Sequence, residues 1–166
     1  MDVHEKIQKI STLIFDVDGV FTDGTLIVTE RGDMLRAMNA KDGYAIKKAL
    51  DEGFRVVIIT GGDSLGVKKR FKKLGVEDVF LKVSDKLSIY QKFIEDNGIK
   101  EDEVMYMGDD ILDLKLLRNV FLPVCPRDAC HEVLEISDFI SDFNGGKGCV
   151  REIVEKVLSS QNKWLP

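Results

Sequence analysis

The chain has 166 residues, 44% of them hydrophobic and 32% charged, with a net charge of −5. That length supports a single domain (1–166) with a full core, and the composition fits a soluble globular protein. The acidic balance argues against nucleic acid, no apolar run approaches the roughly 18 residues of a membrane span, and the N-terminus MDVHEKIQKI lacks the apolar core of a signal peptide.

The apolar run Leu13-Ile14-Phe15 reads as a buried strand that ends in Asp16-Val17-Asp18-Gly19. Side chains at i and i+2 of a strand share a face, so Asp16 and Asp18 point to one spot and Val17 points away. Clustered carboxylates raise each other's pKa unless a cation joins them, which argues for a bound metal or a catalytic pair over a solvated turn. Residues 22–39 read as a hairpin insertion: Leu26-Ile27-Val28 and Met34 to Met38 flank the turn signal Glu30-Arg31-Gly32-Asp33. A helix starts at Asp42-Gly43, carries Ala45, Ile46, Ala49 and Leu50 at helical spacing, and stops at Gly53. Arg55 to Ile59 has the continuous apolar pattern of a parallel strand buried on both faces, and runs into Thr60-Gly61-Gly62-Asp63. A basic helix over 64–74 follows, then a short strand over 78–81 and a helix from Lys86 to Asn97, closed by Gly98. Val104 to Met107 is the next strand and ends in Gly108-Asp109-Asp110. The rest reads as a helix over 113–118, a strand over 120–124, a short helix over 131–135, an edge strand at Phe139-Ile140 and a terminal helix over 150–159. Cys125, Cys130 and Cys149 are too few for a disulfide framework, and CPRDAC lacks zinc spacing, so reduced thiols in a cytoplasmic protein are expected.

This alternation predicts an α/β fold, a doubly wound parallel sheet with helices on both faces. Ligands bind such sheets outside the carboxyl ends of the strands. Asp16 and Asp18, Thr60, and Asp109 and Asp110 all follow strands at that edge, and Lys86 opens a helix beside it. Singly, each has a bland reading: Thr60 as a helix cap, Lys86 as a solvated lysine, Asp109, Asp110 and Asp113 as acids near a helix N-terminus. Together they suit phosphoryl transfer. One carboxylate attacks phosphorus while a second shuttles the proton. Lys86 and Mg²⁺ offset charge on the phosphoryl oxygens. Asp16, Asp109 and a backbone carbonyl suffice to hold Mg²⁺, and Thr60 with the Gly61 amide can hydrogen-bond the phosphate.

DVDGV, IITG, the lysine of VSDK and GDDILD resemble, in order, the four motifs of the haloacid dehalogenase-like phosphohydrolases. The resemblance implies that Asp16 is the nucleophile and Asp18 the general acid/base, and that Thr60 and Lys86 bind phosphate. It further implies that Mg²⁺ is held by Asp16, Asp109 and the Asp18 main-chain carbonyl, with Asp110 and Asp113 in support. Only 43 residues separate Asp16 from Thr60, and 22 separate Lys86 from Asp109, so neither gap holds a cap domain.

The resemblance extends over most of the chain to one capless branch, the 3-deoxy-D-manno-octulosonate 8-phosphate (KDO-8-phosphate) phosphatases. The segment from Met38 to Ile46 is similar to their FNVRDGYGI, and Gly145 to Glu152 to their GGRGAVRE. This implies substrate contacts from Asn39, Ala40, Lys41, Asp42 and Gly43, with further contacts from Lys47, Arg70 and Lys86. It also implies a homotetramer built on the hairpins, a C-terminal tail near a neighbour's site, and a role in lipopolysaccharide synthesis. The bland reading of GGKG is a flexible loop. One position departs: Gly62 stands where the branch carries an arginine for the sugar acid's anionic end, which leaves Lys41, Lys47 or a neighbour's Lys147 to supply that charge. Enzymes of nine-carbon ulosonic acid 9-phosphates, which vary there, are the nearest alternative. A phospho-accepting receiver is the rival from another class, and a non-catalytic assembly module a third; receivers lack an acid two residues beyond the phosphorylated one, so Asp18 argues for turnover.

Overall fold

The computed structural model describes residues 1–165. Six parallel strands form one sheet in the order β5-β4-β1-β6-β7-β8: β1 is Thr12–Phe15, β4 Arg55–Ile59, β5 Asp78–Phe80, β6 Val104–Met107, β7 Leu122–Cys125 and β8 Phe139–Ile140. These strands carry apolar residues on both faces because both faces are covered. Leu13, Phe15, Val56, Ile58, Met105 and Met107 point into one core layer, while Ile14, Val57, Ile59, Val104 and Tyr106 point into the other. The first layer lies under α1 (Val3–Lys9), α2 (Ala40–Asp51), α3 (Leu65–Leu74) and α7 (Cys149–Ser160); the second lies under α4 (Lys86–Asn97), α5 (Leu114–Leu117) and α6 (His131–Ile136). The doubly wound sheet expected from the alternation is therefore the observed fold.

Two features differ from the expectation. Helix α1 went unread because seven residues with one buried side chain, Ile7, show little periodicity; its signal was the capping box of Asp2 and Glu5. The hairpin is shorter than its apolar residues imply: β2 (Ile27–Val28) and β3 (Met34–Leu35) pair over two residues each, and Asn39, not Asp42, caps α2. Neither gap between site motifs holds a further domain: the hairpin and α2 fill the first, and the rest of α4 and a short 3-10 turn (Glu101–Glu103) precede β6 in the second. Among the described residues, no helix is long and apolar enough to cross a membrane.

Candidate active site

Strand β1 lies between β4 and β6, so successive connections leave it in opposite directions and a crevice opens at its carboxyl end. Asp16 emerges there, flanked by Thr60 from β4 and Asp109 from β6. A cleft of about 300 Å³ is lined by Asp16, Asp18, Thr60, Gly61, Lys86 and Asp109, with Asp110 and Asp113 on its wall. Gly19, at φ +82°, turns the chain away; a Cβ there would fall 1.9 Å from Asp109 Oδ2, so only glycine lets the two loops approach.

Lys86, the first residue of α4, is buried and gives Asp16 Oδ2 a contact of 2.9 Å and Asp113 Oδ1 one of 2.5 Å. Burial alone would lower its pKa; the carboxylates of Asp16 and Asp113 reverse that and hold the ammonium charged. Tyr106 Oη also donates to Asp113 Oδ1 (2.5 Å) and accepts from Lys86 (3.2 Å). Asp113 Oδ2 takes the amides of Asp109 (2.9 Å) and Asp110 (3.2 Å), so this carboxylate ties the β6 loop to the lysine. Asp110 caps the turn that follows. The Thr60 hydroxyl accepts from the Gly62 amide (3.2 Å) and shapes the loop, while Ser64 makes the cap of α3.

Asp16, Asp109 and Asp113 present oxygens all within 4.8 Å of one another. Burial first, then Asp113, Asp16 and Asp110, pushes Asp109 up to about 8; burial and Asp113 push Asp16 up to about 6 despite Lys86. One ammonium cannot neutralise this cluster. Its all-oxygen donors fit a hard divalent cation such as Mg²⁺, which would relieve the repulsion.

Several expected substrate contacts lie elsewhere. Asp42 is fully buried, its Oδ1 accepting from the Arg151 amide at the start of α7 (2.8 Å), so it caps that helix instead of facing the cleft. Asn39 caps α2 and reaches Gly146 O, while Gly43 lies under the Arg70 guanidinium. Lys47 pairs with Asp51 on the exposed side of α2. Ala40 is an exposed first residue of α2. Lys41 and Lys147 share a second, larger groove of about 640 Å³ along α7, lined with Arg151, Glu152 and Glu155 and with none of the motif residues of the cleft. The GGKG segment is braced, not loose: Gly146 N donates to Val20 O (2.9 Å) and Gly145 N to Asp128 (2.9 Å), beneath the catalytic-loop candidate of the same chain. The C-terminal residues fold back as well, with Trp164 edge-on to Tyr44 and 4.5 Å from the Arg151 guanidinium.

Two site residues escaped the sequence reading. Tyr106 lies inside the apolar run Val104 to Met107, and its hydroxyl, the only polar tip in Val-Met-Tyr-Met, is the signal that sets it apart. Arg36, just beyond β3, grips Asp18 through Nε (2.6 Å) and Nη2 (3.1 Å).

Residues 78–153 match the haloacid dehalogenase-like hydrolase family. The chain is 36% identical to 3-deoxy-D-manno-octulosonate 8-phosphate phosphatase KdsC of Escherichia coli K12, over 98% of this chain and 86% of that one. The phosphatase structure from Yersinia pestis superposes with a TM-score of 0.95 at 33% identity, covering 98% and 88% of the two chains. That from Moraxella catarrhalis, in complex with magnesium, phosphate and KDO, gives 0.94 at 32% identity, covering 97% and 92%. With these matches spanning the whole sheet and every motif around the cleft, the chain belongs to the 3-deoxy-D-manno-octulosonate 8-phosphate phosphatase family of haloacid dehalogenase-like hydrolases.

Proposed function

We propose that the protein is a Mg²⁺-dependent phosphatase that hydrolyses KDO-8-phosphate to KDO and inorganic phosphate, in lipopolysaccharide synthesis. The observation that carries this reading is the meeting of Asp16, Asp18, Thr60, Lys86 and Asp109 in one cleft at the switch point of the sheet. Family membership at 36% identity supports it.

In this mechanism Asp16 attacks phosphorus; its new O–P bond forms as the bond to the sugar oxygen breaks, and Asp18 gives that oxygen a proton. Asp18 then takes a proton from a water whose oxygen attacks phosphorus and frees Asp16. Lys86 keeps Asp16 ionised and aimed, and the Val17 amide fixes its other oxygen at 2.7 Å. Thr60 and the Gly61 amide take phosphoryl oxygens, while Asp113 holds Lys86 and the β6 loop in place. Mg²⁺, held by Asp16, Asp109 and the Asp18 carbonyl, supplies charge neutralisation on the phosphoryl group when bound.

The active form is a homotetramer joined through the hairpins. Ile27 and Val28 are 60% and 66% exposed, with Leu26, Met34 and Leu35 exposed beside them. A two-stranded ribbon this short and apolar is marginal in water, which favours burial against copies of itself. Sedimentation of an active monomer at micromolar concentration would defeat the tetramer. Free thiols at Cys125, Cys130 and Cys149 accord with a reducing compartment, the cytoplasm.

Phosphate release is the test, measured on KDO-8-phosphate, a nine-carbon ulosonic acid 9-phosphate and simple sugar phosphates, with Mg²⁺ and with chelator. The highest kcat/KM is expected on KDO-8-phosphate, and chelation should abolish it. Gly62 favours the second reading, the nine-carbon substrate, and a preference for it would decide between them. No release from any sugar-acid phosphate would overturn both.

A further inference from the structure

A sugar-acid phosphate brings two anionic groups to a cleft that is itself rich in carboxylates. Among the described residues, the only cation on the cleft wall is Lys86, and Asp16, Asp113 and Tyr106 already engage it. Within this chain, charge on the second anion is therefore met from just outside that wall. Lys47 is paired with Asp51 on the surface of α2, Arg70 lies against Gly43, and Lys41 opens onto the groove along α7. None of them reaches the acids of the cleft.

Arg36 does. Its side chain is only 7% exposed and reaches inward from the base of the hairpin to Asp18. Gly62 leaves room for it: a Cβ at position 62 would press on the guanidinium, 3.0 Å from Arg36 Nη2 and 3.3 Å from Asp18 Oδ2. A side chain extending from residue 62 would enter the volume that the guanidinium fills. A guanidinium has five N–H donors. Nε and Nη2 each give one to Asp18, and Nη1 gives one to Met34 O at 3.1 Å, which leaves two for a ligand. The planar fork suits a carboxylate, the group it already holds in Asp18.

We propose that Arg36 is the specificity-determining cation of this cleft, binding the carboxylate of the sugar-acid phosphate with the two N–H donors that Asp18 and Met34 leave free. The proposal rests on the phosphatase reading above and adds to it the residue that reads the substrate's second anion. It also ties specificity to the hairpin, since the segment that carries the apolar strands delivers the guanidinium.

The test compares Arg36→Ala and Arg36→Lys with the wild-type enzyme on KDO-8-phosphate and on arabinose 5-phosphate, which has no carboxylate. Inhibition by free KDO and by inorganic phosphate is measured alongside. Losing Asp18's partner lowers activity on both substrates, so the readout is their ratio. Arg36→Ala is expected to cut the preference for KDO-8-phosphate by about 10- to 100-fold, the range for a charge-assisted hydrogen bond. It should weaken inhibition by KDO but not by phosphate, and Arg36→Lys should recover part of each effect. Equal losses on the two substrates, or no loss, would overturn the proposal. A melting temperature near the wild-type value shows that the variants fold. A wild-type enzyme with no preference for sugar-acid phosphates would overturn the functional reading itself, and the proposal with it.

Discussion

At the cleft, Asp16 and Asp113 are buried against one ammonium, Lys86, with the Tyr106 hydroxyl bonded to the same oxygen of Asp113. At the junction of α2 and α7, Asp42 is buried with no ion pair, only the more distant charge of Arg151; one oxygen caps α7 and the other, Oδ2, has no hydrogen-bond partner among the described residues. Both places push a carboxyl up to about 6, in each case through burial first. They differ in what answers the cost. The cleft surrounds its acids with donors and leaves a charge deficit that a divalent ion fills. The junction gives Asp42 a single amide and the charge of Arg151, which together do not offset its burial, so the residue holds two helices together at the expense of a poorly solvated charge. A buried acid thus marks chemistry when several converge on a lysine, and marks architecture when one meets a helix end.

The largest effect expected is on turnover. Asp16→Asn removes the proposed nucleophile while nearly preserving shape, and should lower kcat on KDO-8-phosphate by roughly 10³-fold or more with the fold intact by circular dichroism. Retention of most activity would refute the mechanism. Lys86→Met comes next, as it strands Asp16 and Asp113 without their countercharge. Breaking a buried pair by removing one partner costs about 3–5 kcal/mol, so urea unfolding at pH 8 should show a loss of that order. A loss below about 1 kcal/mol would mean that the acids are better solvated than their burial implies.

Metal is the third probe. Asp16 and Asp109 have folded pKa values raised to about 6 and about 8, so metal-free protein binds more protons than its unfolded chain between about pH 4 and pH 8. Stability from these groups is therefore highest at low pH and falls as pH rises through those values. Mg²⁺ needs the ionised carboxylates and removes the penalty, so its stabilisation grows with pH. At 100 times its Kd, a ligand adds about 2.7 kcal/mol, or about 5–10 °C in Tm for a chain of this size. Thermal melts at pH 6 and pH 8.5 should show the larger Mg²⁺ shift at pH 8.5, and chelation should reverse it. No shift at either pH would remove this cluster as a metal site.

Asp42→Asn gives the smallest effect and has the opposite sign. Its folded pKa, about 6, lies above the usual carboxylate value, so the ionised form costs stability as pH rises from about 4 to about 6. The amide carries no charge and still accepts from the Arg151 amide. The variant should be more stable than wild type by about 1–3 kcal/mol at pH 8, with the gain absent near pH 4. A destabilised variant at pH 8 would show that the charge itself helps to cap α7.

Much of this was legible in the residues. The bounds of β4, α4, β6 and β8 follow from apolar runs and a closing Gly98, both local signals. Asp16, Thr60, Lys86 and Asp109 were legible for a related reason: each follows or opens an element at the same sheet edge, so topology alone brings them together. Asp42, Lys47 and Arg70 were not. They belong to helices, where one turn of rotation decides between cleft, core and solvent, and the packing of α2 on α7 and α3 made that choice.

By itself, then, the sequence determined the doubly wound sheet, the order of its motifs and the acids at its carboxyl edge, because strand burial and helix capping act over a few residues. Only the tertiary structure decided that Asp113 and Tyr106 share Lys86, and that Gly146 braces the loop after β1. It also decided that Arg36 crosses Gly62 to reach Asp18. These are meetings of residues 18 to more than 100 positions apart, and their geometry is set by how the layers pack, which no local periodicity records.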